Sequence, residues 1–251
     1  MGEVITFTSG KGGVGKTTVT ASLGRKLADM GYRVVLVDAD VGLNNLDVVV
    51  GIESRVVYDI GDVLAGRCRI FQALVPDHES TLKVLPSSNG SVEISAQAFR
   101  GVVDSLSDFD IVLIDCPAGI ERGFHRAVSA ATEALVVTTP SASAIRDADK
   151  VVALLSGYRL EDVGLVVNRL RPDMVAKGEM MSSSDVSRLL HTPAVGVIPE
   201  DDCITLYQQL GRVPDFALSE KAFSLLAANV ANRTKNCAEL RYPRRRFGRW
   251  L

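Results

Sequence analysis

One eight-residue stretch constrains this chain more than any other. Gly10-Lys11-Gly12-Gly13-Val14-Gly15-Lys16-Thr17 fits the spacing G-x-x-x-x-G-K-[ST]. A strand-like run, Val4–Thr8, precedes it and a helical pattern, Gly15–Met30, follows. Gly12 and Gly13 carry no Cβ, so the backbone can wrap closely and turn successive amide N–H groups toward phosphate oxygens. The helix behind the loop adds the positive end of its dipole. Lys16 is then placed to meet the terminal phosphates, and the Thr17 hydroxyl to ligate Mg²⁺. ATP with Mg²⁺ is the expected cofactor, held by Gly10, Lys11, Gly12, Gly13, Val14, Gly15, Lys16 and Thr17.

The rest of the chain repeats that strand–helix alternation. Further β-branched runs lie at Val34–Asp38, Leu82–Leu85, Ile111–Asp115, Ala134–Thr138, Gly164–Asn168 and Ala194–Ile198. They are nearly continuous apolar, the pattern of strands buried on both faces. Helical patterns occupy Val92–Leu106, Gly123–Ala131, Ala144–Leu155, Ser183–Leu190 and Glu220–Asn232. The expected fold class is α/β: a mainly parallel twisted sheet with helices on both faces. Residues 1–240 form the expected ATPase domain, and 241–251 an appended tail.

In such a sheet, ligands collect at the carboxyl ends of the strands. Asp38, Asp40 and Asp115 stand there, as do Glu200 and Asp201, and the first three supply the acids that Mg²⁺ and water need. Asp115 closes the run Asp110–Asp115 and reads, with Asp38, as a magnesium-associated carboxylate. It acts through metal-bound water, because Mg²⁺ keeps several waters. Asp40 opens a segment, Val41–Asp47, expected to be flexible, with Gly42 free to let it close on the terminal phosphate. Asp40 either caps a turn there or orients the attacking water. Pro117, Ala118 and Gly119 form a second expected switch. Lys11 is unusual, since a phosphate cradle does not require a second cation. It is either a solvated lysine or a cation that reaches phosphate across a subunit interface.

Composition limits the remaining classes. A chain of 251 residues, 47% hydrophobic and 23% charged, is large enough for one domain with a substantial core. No apolar run approaches the ~18 residues of a membrane-spanning helix. A strand beginning at Gly2 is expected to leave no room for a signal peptide, which with four scattered cysteines points to the cytoplasm. Neither those cysteines nor the three histidines have metal-ligand spacing.

The tail is the exception to an otherwise acidic chain. Arg241, Arg244, Arg245, Arg246 and Arg249 lie there with no acid, and removing them from the formal net charge of −2 leaves the body at −7. That balance argues against a nucleic-acid-binding face. Pro243 can start a helix, in which Phe247, Trp250 and Leu251 share one face at i, i+3 and i+4. Arg245, Arg246 and Arg249 lie toward the other side and Arg244 at the edge. This is the pattern of a helix lying in an anionic membrane surface, the alternatives being a solvated tail or one folded back on the domain. One such anchor is weak, and two on the same face of a dimer bind by avidity.

Taken together, these residues resemble the deviant Walker A (ParA/MinD) P-loop ATPases, and within them the branch that places the division site. The likeness rests on SGKGGVGKTT (Ser9–Thr18), DVGLNNLD (Asp40–Asp47), RVVYD (Arg55–Asp59), DCPAGIE (Asp115–Glu121), RDAD (Arg146–Asp149) and VGVIPED (Val195–Asp201). The resemblance implies an ATP-sandwich homodimer in which Lys11 contacts the partner's nucleotide. It implies that Asp40 and Asn45 serve hydrolysis and that Thr18 binds an α-phosphate oxygen. Asn168, Arg169, Pro199, Glu200 and Asp201 would frame the adenine, with Asp147 and Asp149 near the dimer face. It further implies a slow ATPase, stimulated by a partner and peripheral on the inner face of the cell membrane when ATP-bound. Its expected partners are a MinC-like division inhibitor and a MinE-like or other positional protein. A DNA-partitioning ParA-type ATPase and a flagellar-number regulator share the fold and the loop. An iron–sulfur reductase of the same superfamily needs cysteine spacing that this chain lacks.

Overall fold

Eight strands carry the architecture: β1 (Glu3–Thr8), β2 (Val34–Asp38), β3 (Val75–Pro76), β4 (Lys83–Leu85), β5 (Ile111–Asp115), β6 (Glu133–Thr138), β7 (Asp162–Leu170) and β8 (Ala194–Pro199). They lie in one sheet in the order β3-β4-β2-β5-β1-β6-β7-β8, and every neighbouring pair is parallel except β3 with β4. This computed structural model describes residues 2–42, 45–78, 80–88, 93–204, 218–235 and 237. The expected membrane tail, residues 241–251, lies outside the described residues, as do residues 43 and 44 of the first switch.

The α-helices with both ends among the described residues are α1 (Lys16–Asp29), α2 (Asn45–Val50), α3 (Ile60–Leu64), α4 (Ile70–Ala73), α5 (Ala96–Asp104), α6 (Arg122–Ala130), α7 (Ala142–Leu155), α8 (Pro172–Ala176), α9 (Ser183–Leu189) and α10 (Leu218–Ala231). Successive strand residues point to opposite faces, and the two cores divide accordingly. Ile5, Leu36 and Leu113 pack with Val19 and Leu23 of α1, Leu46 of α2 and Phe223 and Leu226 of α10. Val4, Val37 and Ile114 pack with Phe99 of α5, Phe124 and Val128 of α6, Val151 of α7 and Val186 of α9. Helices on both faces of a parallel sheet are the architecture that the alternating pattern predicts.

Register builds the site before any side chain is considered. In the parallel ladders Asp38 stands beside Asp115, and Asp115 beside Phe7, one residue before the end of β1. The chain leaves β1 through α1 toward β2 on one side and leaves β5 through α6 toward β6 on the other. Those diverging connections open a crevice at the carboxyl ends of the central strands.

Two local differences from the sequence pattern have physical causes. The segment expected to be flexible through Asp47 is already helical from Asn45, with Leu46 fully buried. Arg25 of α1 secures the far end of that helix. Its Nη2 donates to the Val50 carbonyl at 3.0 Å, and its guanidinium is bidentate on buried Asp77. The helix expected over Val92–Leu106 runs only from Ala96, because the Ser95 hydroxyl accepts the Ala98 amide and caps it there.

Candidate nucleotide site

The glycine loop turns into α1 through residues that only glycine accommodates easily. Gly13 and Gly15 have φ values of 78° and 89°, in the left-handed region. At Gly10 the constraint is space: a Cβ would come within 2.2 Å of the Asp147 carbonyl oxygen of α7. Gly10 is therefore set by close packing against α7.

Lys16, the first residue of α1, is buried, and its Nζ lies 2.6 Å from Asp115 Oδ1. The Thr17 hydroxyl donates to Asp115 Oδ2 at 2.7 Å, and the Thr20 hydroxyl reaches Asp115 Oδ1 at 3.3 Å. One carboxylate at the end of β5 thus gathers the lysine and the threonine of the motif. Thr20 was not among the sequence candidates, although it sits one turn beyond Lys16 on the same helical face.

Asp38 is fully buried, with Oδ1 accepting the Asp40 amide at 2.8 Å and Oδ2 the Leu46 amide at 3.4 Å. Burial, then the neighbouring Asp115 charge, pushes its carboxyl up to about 8. Asp40 is half-buried at the mouth. Burial holds it above the usual carboxylate range, Asp115 adds to that, and Lys16 and Arg126 pull it the other way. Three acids so close together repel one another. A hard divalent cation relieves that repulsion, and the oxygens of Thr17, Asp38 and Asp115 are the donor type that Mg²⁺ prefers. The residues present fit the metal.

The loop, Lys11, Lys16, Thr17, Thr18, Asp40, Asn45, Ala118 and Arg169 line a cleft of about 370 Å³. Lys11 is exposed on its rim and has no ion-pair partner among the described residues. The second switch borders the same cleft, where the Gly119 amide donates to the Ser9 carbonyl at 2.9 Å. Gly119 has φ 91°, and Pro117 packs on Gly123 of α6.

A smaller hollow of about 50 Å³ adjoins the cleft, lined by Gly15, Thr18, Asn168, Arg169, Pro199, Glu200, Asp201 and Phe223. The residues expected around the base therefore meet at one place. Two of them also hold the protein to itself. The buried Asn168 amide donates to the Val14 carbonyl of the glycine loop at 2.8 Å. Asp201 accepts the Ser219 hydroxyl at 2.8 Å and the Cys203 amide at 3.0 Å. Burial alone would raise the Asp201 carboxyl, and these bonds outweigh it and bring it below the ordinary value. Arg169 adopts φ 57°, an uncommon conformation for a side-chain-bearing residue, where β7 meets both cavities. Asp147 and Asp149 both lie on α7, Asp147 beside Gly10. One half-buried cation, Arg126 of α6, escaped the sequence reading, because it stands in no motif and no charge run.

Comparisons with known proteins agree on the fold and on the family. The model of the CobQ/CobB/MinD/ParA nucleotide binding domain matches residues 5–212. A putative septum site-determining protein MinD of Guillardia theta is 49% identical over 215 residues, 84% of this chain and 80% of that protein. Among solved structures, the MinC:MinD cell division protein complex of Aquifex aeolicus superposes with TM-score 0.88 at 39% identity. That match covers 96% of this chain and all of the other. The septum site-determining protein MinD of Pyrococcus horikoshii OT3, complexed with Mg-ADP, superposes with TM-score 0.82 at 31% identity, covering 92% of this chain and 96% of that one.

Proposed function

The chain belongs to the CobQ/CobB/MinD/ParA nucleotide-binding family, and we propose that it is a septum-site-determining ATPase of the MinD type. One observation carries the chemical part of that reading: Lys16, Thr17, Asp38, Asp40 and Asp115 converge at one cleft behind a glycine loop. Likeness to septum-site proteins over 84–96% of the chain carries the biological part.

In the proposed mechanism Lys16 leaves Asp115 to hold a phosphate oxygen. The Thr17 hydroxyl oxygen, with Asp38 and Asp115 acting through water, would hold Mg²⁺. Bound Mg²⁺ supplies positive charge that offsets the phosphate oxygens. Thr18 binds an α-phosphate oxygen, and Asn168, Arg169, Pro199, Glu200 and Asp201 surround the base. Asp40, with Asn45 beside it, orients the attacking water and accepts its proton. Lys11, exposed on the rim, reaches the nucleotide of a second copy, so that occupancy by triphosphate joins two chains. Hydrolysis is slow until a partner stimulates it.

Residues 241–251 supply the membrane contact of this reading. The paired chains then reside peripherally on the inner face of the cell membrane, where they recruit a MinC-like division inhibitor. A MinE-like or other positional protein completes the cycle. The test is co-sedimentation of the full chain with anionic phospholipid vesicles under Mg·ATP and Mg·ADP, with plasmid DNA in parallel. Pelleting with lipid only under ATP supports the reading. Equal pelleting under both nucleotides, or ATP-dependent retention on DNA alone, contradicts it.

A further inference from the structure

Arg126 lies in the middle of α6, the helix that continues the second switch, and its guanidinium sits 5.9 Å from the centre of the buried Phe99 ring of α5. Nη2 donates to the Ala39 carbonyl at 2.8 Å, and Nη1 to the Ile94 carbonyl at 3.3 Å. Ala39 is the single residue between Asp38 and Asp40. Its own amide donates to the Asp115 carbonyl at 2.9 Å, and the next amide, of Asp40, donates to Asp38 Oδ1 at 2.8 Å. The turn between the two aspartates is therefore pinned on its amide side by β5 and Asp38, and on its carbonyl side by Arg126.

The placement is costly for an ordinary structural arginine. Among the described residues Arg126 forms no ion pair, and a half-buried cation without a paired carboxylate is unfavourable. Arg122, one turn earlier on the same helix, shows the ordinary arrangement: it pairs with exposed Glu93 at 2.6 Å in solvent. Arg126 instead points inward at backbone carbonyls, and its charge acts on Asp40.

We propose that Arg126 is a positioning residue for hydrolysis, holding the Asp38-Ala39-Asp40 turn so that the Asp40 carboxylate faces the cleft. Because α6 begins directly after the second switch, this guanidinium also ties that switch to the first. The inference rests on the reading of Asp40 as the residue that orients the attacking water.

Steady-state hydrolysis of Mg·ATP by the full chain tests it. Arg126→Met keeps the stem over Phe99 and removes the donors and the charge. It should lower kcat by about tenfold, a loss typical of a slightly misplaced catalytic group, with KM for ATP changed less than about twofold. Arg126→Lys keeps a charge and one donor and should recover to within about threefold of the parent. In an Asp40→Ala background Arg126→Met should cost little more, because it acts through the group already removed. A kcat equal to the parent's overturns the proposal. So does a fall in kcat matched by a rise in KM and not recovered by lysine, or a full additional loss in the Asp40→Ala background. Should the methionine variant fail to fold, Arg126→Lys and Arg126→Gln decide the question, and equal kcat values for the two overturn it. If Asp40→Ala itself hydrolyses normally, the assignment of Asp40 has failed and this inference goes with it. If only Asp40→Ala is slow, the inference alone has failed.

Discussion

At the phosphate end of the cleft Lys16, Thr17 and Thr20 converge on Asp115, whereas at the base end Asn168 and Asp201 turn polar atoms on the protein itself. The first end gathers charged groups whose mutual arrangement a bound metal and phosphates would change. The second is braced: Asn168 holds the glycine loop and Asp201 holds the start of α10. In the proposed function the chemistry falls where charges are exchangeable, and the proposed base end contributes mainly by keeping the loop in shape.

Substitutions at the two ends should separate in kind as well as size. Lys16→Ala should produce the largest effect, loss of hydrolysis by at least about a hundredfold together with loss of ATP-dependent dimerisation, since it removes the buried cation placed to meet the terminal phosphates. Unaltered turnover would mean the phosphate site is misplaced. Asp40→Ala should slow hydrolysis by about a hundredfold, the contribution of a positioned proton acceptor, while ATP still joins two chains. Loss of the dimer at saturating Mg·ATP would contradict the role given to Asp40. Asn168→Ala should weaken ATP and ADP equally, by about tenfold, and lower stability by about 1–3 kcal/mol, because it strips a buried hydrogen bond from the loop. A selective loss of ATP over ADP, read by calorimetry, would erase the distinction between the two ends.

The smallest effect concerns pH. Asp38 titrates near 8 in the folded chain against 3.8 unfolded, so between those values the folded state binds more protons. Stability without nucleotide or Mg²⁺ should therefore fall as pH rises through that window. Denaturant midpoints of the parent and of Asp38→Asn, measured at intervals across it, should converge on one slope only if Asp38 is not the group responsible.

The contrast between the ends also marks what a sequence discloses. The phosphate end is local: a glycine loop, the helix behind it and apolar strands ending in aspartates are contiguous patterns, and parallel register then sets Asp38 beside Asp115. The proposed base end joins residues from β7, β8 and α10; Asn168, Arg169, Pro199, Glu200 and Asp201 show in the sequence as strand ends, and only the resemblance assigns them to the base. Helix α2 replaces the last part of the expected flexible segment, although Val48, Val49 and Val50 are β-branched and weak helix formers. Burial of Leu46 and Val50 overrides that preference. Helix α3 is only five residues long, held by the reciprocal capping of Asp59 and Asp62, and is too short to show a period. The two-residue β3 gave no strand signal, since it ends in a proline. Arg126 could not be singled out at all, because its meaning lies in carbonyls of Ala39 and Ile94, far away in the chain.

Triphosphate in this cleft, in the proposed function, joins two copies of the chain. Light scattering of the Asp40→Ala chain, which should hold ATP without consuming it, measures that directly. Saturating Mg·ATP should give twice the mass seen with Mg·ADP, and adding Lys11→Ala should return it to the single-chain value. A single-chain mass under Mg·ATP, or a dimer that forms equally well with ADP, would contradict the account.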